Sequence, residues 1–238
     1  MRLSVIIPAY NEAATIGEVI GRVRGAQRPG LDIEILVVDD ASTDGTASRV
    51  EKEAAAGGPA ASGGALKLIR HATNMGKGAA IRTALACATG DHVIIQDADL
   101  EYDPADYGPI LEALGRDGVP VVYGSRILGD NPHSYWRYYY GGRLLTLCFN
   151  WLYGRRLTDL TTGYKAFRLE TLRSIPLSCR GFEFCPEVTA KLARRGVPIV
   201  EVPISYRPRS MEEGKKIRWR DGVRAVGTLM SLRWGGDS

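Results

Sequence analysis

Near the middle of the chain the apolar pair Ile94-Ile95 gives way to Gln-Asp-Ala-Asp-Leu-Glu-Tyr-Asp-Pro, so Asp97, Asp99, Glu101 and Asp103 crowd into seven positions. Carboxylates this close repel one another unless a cation stands among them. Oxygen donors at alternate positions suit a hard divalent ion, Mg2+ or Mn2+, whose shell is commonly completed by water and substrate phosphates. In an extended segment Asp97, Asp99 and Glu101 share one face. The alternative is a solvated strand-end loop with Tyr-Asp-Pro as its turn. Two more polar clusters follow short apolar runs, Tyr10-Asn11-Glu12 and Asp39-Asp40. A nucleotide needs an acceptor for a base N–H, a wall for the ring and a cation for the diphosphate. Asp40, Tyr10 and a metal on Asp99 meet those needs. Glu12 either accepts from a base or ribose, or opens a helix as a favourable N-terminal charge.

The elements that must position these residues alternate. Leu3 to Ile7, Ile33 to Val38, Leu66 to Ile69 and His92 to Gln96 read as short buried strands. Between them Ile16, Val19, Ile20 and Val23 fall at helical spacing, a helix capped by Ser42 or Asp44 runs through Glu53, and Gly76 to Ala88 forms another. Ala54 to Ala65 is all Ala, Gly, Pro and Ser, a surface loop. Strands alternating with helices predict an α/β fold with a largely parallel sheet covered on both faces. Ligands bind such sheets beyond the carboxyl ends of the strands, where all three polar clusters fall. In the second half Val121 to Tyr123 reads as a strand before Gly124-Ser125-Arg126, Pro186 to Arg195 as a helix, and Ile199 to Ile204 as a last strand.

Composition narrows the class. With 238 residues, 45% of them hydrophobic and 24% charged, the chain can bury a large core without cross-links. The four cysteines form no Cys-x-x-Cys pair and the three histidines no zinc spacing, which points to reduced thiols in a cytoplasmic compartment. No run of about 18 apolar residues exists to span a bilayer, and the apolar N-terminus, broken by Pro8, is too short for a signal peptide. The formal net charge of +4 permits an anionic partner. Asn-Met-Gly-Lys-Gly at 74–78 lacks the spacing of a P-loop, and no Gly-x-Gly-x-x-Gly follows the first strand.

Seven short motifs stand in order: VIIPAYNE, VVDDASTDGT, NMGKGAAIRTAL, DADLE, GSR, TTGYKAFR and EGKKI. Together they resemble the family 2 glycosyltransferases, and most closely the branch of dolichyl- or polyprenyl-phosphate sugar synthases, over roughly residues 3 to 222. The resemblance implies the GT-A fold and one glycosyltransferase domain over 1–238, with 1–130 binding the nucleotide-sugar and 131–238 facing the acceptor and membrane. It also implies site residues. Pro8, Tyr10 and Glu12 match the first nucleotide contacts, Val38 and Asp40 the pair that holds the base, and Asp97, Ala98 and Asp99 the segment along the nucleotide-sugar, with Asp97 and Asp99 taking a catalytic part. Asp99 and Glu101 match the metal ligands, though close relatives often carry Gln at the second position. Arg126 resembles a phosphate-binding arginine with a catalytic part. Arg209 and Lys216 resemble a basic pair that closes over the phosphates, with Lys215 an equal match for the second.

The implied reaction is inverting, Mg2+- or Mn2+-dependent transfer of a hexose from a nucleotide-sugar of the GDP-mannose or UDP-glucose type. A phosphate monoester acceptor is already an anionic nucleophile and needs cations to place it; Arg126, Arg143 and Arg209 are the candidates. A hydroxyl acceptor needs a carboxylate base, and Glu183 or Glu187 would serve, unless they only start a helix. A polyprenyl or dolichyl phosphate adds the demand for a membrane surface. Tyr135 to Arg156 holds Trp136, Trp151, five tyrosines and four arginines without one acid. That pattern suits a helix lying at a bilayer interface; a core or dimer helix is the alternative. The basic tail before Trp234 offers a second such helix. The expected setting is peripheral, at the cytoplasmic face of the membrane, with a membrane-protein partner as an option. A non-catalytic nucleotide-sugar or lipid-binding module is the reading from another class. Nucleic acid is not expected, because the basic segments also carry apolar stripes.

Overall fold

The computed structural model describes residues 1–56, 65–132, 136–209 and 219–235, with the backbone alone at 136–138 and 219–220. Strands β1 (Arg2–Ala9), β2 (Asp32–Asp39), β3 (Leu66–Arg70) and β4 (His92–Ile95) alternate with helices α1 (Ile16–Gly25), α2 (Thr46–Ala56) and α3 (Lys77–Cys87). Then follow α4 (Tyr107–Leu114), β5 (Val121–Ser125), α5 (Trp136–Tyr153), β6 (Lys165–Arg168), α6 (Leu169–Ser174), α7 (Phe184–Arg194), β7 (Val200–Pro203) and α8 (Trp219–Trp234). The strands form one seven-stranded sheet in the order β3-β2-β1-β4-β6-β5-β7. All neighbours pair in parallel except β6, which runs antiparallel to both β4 and β5.

The central strands are continuous apolar runs because both faces are covered. Leu3, Val5 and Ile7 of β1 pack with α1 and α4 on one face, and Ile6 with Leu36, Val38 and α3 on the other. The expected strands and helices of the first half are all present, with α2 extending to Ala56. The alternating scheme did not foresee the reversed β6 inside the motif TTGYKAFR. Its consequence is topological. The start of an antiparallel strand lies at the edge where its parallel neighbours end, so residues 159–164 stand beside the carboxyl ends of β4 and β5.

A third apolar layer lies outside the sheet sandwich. Leu145, Phe149 and Leu152 of α5 pack with Ala225, Leu229 and Leu232 of α8 and with Ala190 of α7. The opposite faces of these helices remain apolar in solvent. Tyr140, Leu144, Leu147 and Trp151 are 60, 69, 59 and 82% exposed on α5, and Val223, Met230 and Trp234 are exposed on α8. In each helix these positions repeat at the spacing of a single stripe. No helix among the described residues is long and apolar enough to cross a membrane.

Candidate active site

Three tight turns build the rim. Among the described residues the non-glycine positions with positive φ are Asn11, Ala41 and Leu100, which follow β1, β2 and β4. Alanine and leucine rarely adopt this conformation, which costs of order 1–3 kcal/mol and collects at functional sites. The turns are stitched together. Asn11 N donates to Ser42 Oγ (2.9 Å), Glu12 N to Thr46 Oγ1 (2.9 Å), and Ala13 N to Asp44 Oδ2 (3.0 Å). Thr43 N donates back to Asn11 Oδ1 (2.9 Å). Ser-Thr-Asp-Gly-Thr thus does more than start α2: it clamps the first rim loop. Thr15 Oγ1 donates to the Ala98 carbonyl (2.7 Å), fastening α1 to the acidic segment.

The acidic segment turns at Ala98–Asp99 instead of staying extended, because Leu100 is left-handed. Its side chains therefore diverge to separate cations. Asp97 Oδ1 accepts from Lys77 Nζ at 2.5 Å, and the backbone of Gly163 lies so close to Asp97 Oδ2 that no Cβ fits there. Asp99 Oδ2 accepts from Arg209 Nη2 at 2.6 Å. Glu101 Oε1 accepts the Arg209 backbone N–H (2.9 Å), and Arg209 Nη1 reaches Glu12 at 3.2 and 3.3 Å. Burial, and then the adjacent Asp97 and Glu101, push the Asp99 carboxyl up to about 7 despite Arg209. Burial lowers the Lys77 ammonium, but Asp97 beside it wins and holds it above its ordinary range.

Lys77 is the site residue that sequence reasoning missed. It sits in the stretch set aside for failing the P-loop pattern, and its usable signal was its place in the motif before α3. Gly76 has φ +91°, and both Gly76 and Gly78 pack against the backbone at 179–181, so α3 begins directly under the rim.

Asp40 is used differently from the open acceptor expected at its strand end. It is 3% exposed. Its Oδ1 accepts from His71 Nδ1 (2.7 Å) and Met75 N (2.8 Å), and its Oδ2 from Gly76 N (2.7 Å). His71 Nε2 in turn meets Thr83 Oγ1 at 2.9 Å. Val38 is wholly buried in the core against α3, and Ala98 is buried, whereas Pro8 is half-buried and Tyr10 38% exposed at the rim. Asp39, also buried, keeps one carboxylate oxygen without a partner among the described residues.

Across β6 stands a second charged group. Arg126, at the end of β5, is gripped by Asp159 through Nε (2.7 Å) and Nη2 (2.8 Å), and Nη2 also reaches Thr161 Oγ1 (2.7 Å). Its guanidinium lies 5.1 Å from the Tyr206 ring centroid. Burial raises the Asp159 carboxyl, but Arg126 outweighs it and keeps the group below its ordinary range. Gly142 of α5 approaches Thr161 so closely that a Cβ would stand 3.0 Å from Oγ1. Arg143, the next residue, is half-buried with no hydrogen bond or ion pair to a described residue. Tyr102, Tyr164 and Tyr206 form a packed aromatic floor between the two charged groups. Beneath it Gln96 Oε1 accepts from Tyr107 and Tyr164 (3.0 Å each).

Glu187 takes no part in the site. It is buried and accepts from Ser178 N (2.7 Å), Ser178 Oγ (2.8 Å), Cys179 N (3.0 Å) and Lys191 Nζ (2.9 Å), which fixes the start of α7. Glu183 lies 3.9 Å from Arg224 of α8. Lys215 and Lys216 fall outside the described residues.

The donor set around Asp99 is all carboxylate oxygen and already closes on a cation, the Arg209 guanidinium. That arrangement fits a hard divalent ion. Two protein carboxylates leave the rest of such a shell to phosphate and water, and among the described residues no group of three His, Cys, Asp or Glu side chains is arranged as a metal site.

Comparison with known proteins agrees with this geometry. The model for glycosyl transferase family 2 matches residues 4–175. An undecaprenyl-phosphate mannosyltransferase of Micrococcus luteus is 32% identical over 99% of this chain and 94% of its own length. A polyprenol monophosphomannose synthase of Mycolicibacterium smegmatis is 30% identical over 90% of this chain and 80% of its own. Among solved structures, the glucosyl-3-phosphoglycerate synthase of Mycobacterium tuberculosis with Mn2+, UDP and glucosyl-3-phosphoglycerate superposes with a TM-score of 0.73 at 23% identity, over all of this chain and 81% of that one. The same enzyme has been solved with Mg2+ and UDP. At that identity the likeness speaks for the fold. With its mostly parallel sheet, rim-mounted Asp-x-Asp and family match, the chain is a glycosyltransferase of the GT-A fold and belongs to glycosyl transferase family 2.

Proposed function

We propose that this protein transfers a hexose from a nucleotide-sugar, of the GDP-mannose or UDP-glucose type, to a polyprenyl phosphate at a membrane surface. The observation that carries it is the pairing of two charged groups on one rim. The Asp97–Asp99–Glu101 cluster follows β4, the Arg126–Asp159 pair follows β5, and α5 brings its exposed apolar stripe to the second. The named activities of the relatives that cover most of the chain point the same way.

In this reading residues 1–130 supply most of the donor site and 131–238 most of the acceptor site, with Arg126 and Arg209 each serving the other half. Pro8 and Tyr10 line the entry to the nucleotide, with Glu12, Asp97 and Ala98 along it; Val38, buried in the core, supports the site from beneath. Asp40 pins the Met75–Gly76 backbone that shapes the pocket. Asp99 and Glu101 would hold a divalent ion, which when bound offsets the negative charge that develops on the departing diphosphate. Lys77, poised on Asp97, and Arg209 present further cations to that charge. Asp159 fixes Nε and Nη2 of Arg126, so the acceptor phosphate meets Nη1 in a set orientation, with Arg143 nearby. One phosphate oxygen attacks the anomeric carbon as the bond to the diphosphate breaks on the opposite face, inverting the centre. An anionic nucleophile needs no general base, consistent with Glu187 being spent on α7. The apolar stripes of α5 and α8 supply the membrane contact, and no membrane-protein partner enters the reading.

Purified protein is incubated with GDP- and UDP-hexoses, Mg2+ or Mn2+ and a polyprenyl phosphate in vesicles. Lipid-extractable labelled sugar is the expected product with one donor. Its absence with every donor, alongside transfer to a soluble hydroxyl acceptor, would overturn the proposal.

A further inference from the structure

The carboxylates assigned to the divalent ion are already engaged, and Arg209 reaches both of them. The chain from Ile204 to Arg209 lies as a strap along the acidic loop. Ser205 N donates to Asp106 Oδ2 (2.8 Å), Tyr206 N to Asn131 Oδ1 (2.7 Å), and Arg207 N to the Glu101 carbonyl (2.9 Å), while Tyr206 bridges Tyr102. Arg209 is the last described residue of the strap. Its backbone N–H takes Glu101 Oε1, its Nη2 takes Asp99 Oδ2 at 2.6 Å, and its Nη1 takes Glu12. The other Asp99 oxygen accepts the Glu101 N–H (3.2 Å). The guanidinium is a poor fit for a purely structural part: the Arg209 side chain is only 15% exposed, and its Nε has no partner among the described residues. A buried donor left unpaired is costly, so this contact is not where all five donors are satisfied.

We infer that Arg209 is the resident counter-cation of the metal site, and that a divalent ion enters only by displacing it. The inference rests on the assignment of Asp99 and Glu101 as metal ligands. A divalent ion needs their oxygens at about 2.0–2.1 Å; the guanidinium stands at Asp99 Oδ2 and the Arg209 backbone N–H at Glu101 Oε1. Ion and arginine therefore compete for Asp99 Oδ2. Displacement without compensation strands a buried guanidinium beside a divalent ion of like charge. A nucleoside diphosphate removes that conflict by giving the freed guanidinium an anion of its own. Metal and nucleotide then bind with positive coupling, and the coupling is reciprocal. The device keeps the acidic cluster neutralised while the site is empty and discourages metal from settling there without donor.

The test is Mn2+ binding by the full chain, followed by electron paramagnetic resonance of free Mn2+ and by calorimetry, with and without GDP or UDP. For the unaltered protein, Mn2+ alone binds weakly and nucleotide tightens it by about tenfold or more, within the usual range of coupling. Arg209→Gln binds Mn2+ alone about tenfold more tightly, and the gain from nucleotide shrinks by the same factor. Arg209→Lys falls between. Arg207→Gln removes the same charge from an exposed position on the same strap and matches the unaltered protein. If Arg209→Gln binds Mn2+ alone no more tightly, or if Arg207→Gln matches its gain, the exchange is wrong. Asp99→Asn separates the two failures: Mn2+ binding with nucleotide that survives this change removes the metal assignment itself.

Discussion

Leu144 and Leu147 offer the sharpest test of the membrane surface. They stand one turn apart on α5, 69 and 59% exposed, on the face turned away from Phe149 and the core. Fully burying a leucine side chain is worth about 1.5–3 kcal/mol. At these exposures each presents about 1–2 kcal/mol of transferable apolar surface. Leu144→Gln/Leu147→Gln should therefore weaken partition into vesicles by about 2–4 kcal/mol, or roughly 30-fold at the lower end. Co-sedimentation with vesicles containing anionic phospholipid reads the partition directly. The melting temperature should move little, because exposed positions contribute little to the folded core. Transfer to a short, water-soluble polyprenyl phosphate should persist. Undiminished vesicle binding by a folded double variant would refute the reasoning, and a large loss of stability would show the stripe to be covered in solution by another protein surface.

Other expectations concern the charged pairs. Asp159→Ala leaves the half-buried Arg126 guanidinium without its carboxylate; a loss of up to about 3 kcal/mol in urea unfolding is expected, with loss of transfer, and unchanged stability would contradict the described pair. Glu183→Gln should retain most activity, because a phosphate acceptor needs no base; loss of turnover with normal donor binding would instead support a hydroxyl acceptor. For Glu187, burial raises the carboxyl, but the bonds from Lys191, Ser178 and Cys179 prevail and hold it below its ordinary value of 4.5. As pH falls below about 5 the unfolded chain takes up this proton first, so the stability that Glu187 contributes at neutral pH drains away. Unfolding curves between pH 6 and 3.5 should show a shallower decline for Glu187→Gln than for the unaltered protein, from a lower starting point.

The donor side of the rim was legible because its residues follow apolar runs whose ends the sequence marks plainly. Asp97, Asp99 and Glu101 needed only β4, and Tyr10 and Glu12 only β1. What the residues do there was less accessible. Asp40 faces inward to His71 and Gly76 because the next side chain along β2 turns to the α3 face, and no local pattern shows that α3 begins beneath it. Lys77 was hidden for the same reason: its partner, Asp97, is twenty residues away, in the turn beyond β4. The Arg126–Asp159 pair depends on β6 being inserted between β4 and β5, a fact of topology that four residues of strand cannot announce. Helices α5 and α8 were visible as basic-aromatic segments. Only packing separates the stripe that meets α7 from the stripe left in solvent.

The reversed strand has one more consequence, which concerns change over time. The rim is assembled from two kinds of segment: loops that leave parallel strands, and the one loop, residues 154–164, that enters an antiparallel strand. The first kind carries the donor groups and Arg126, and the second carries Asp159 and Thr161, which hold Arg126 in place. The start of that stretch, residues 154–157, can therefore lengthen, shorten or change its side chains without altering the spacing of Asp97, Asp99 and Glu101, whereas Gly163 is fixed by its packing on Asp97. A lineage built on this sheet can try new acceptors while its donor chemistry stays fixed. Loop grafting at 154–157 is where a designer would begin, because Thr158 is tied to Glu201 and Ser125.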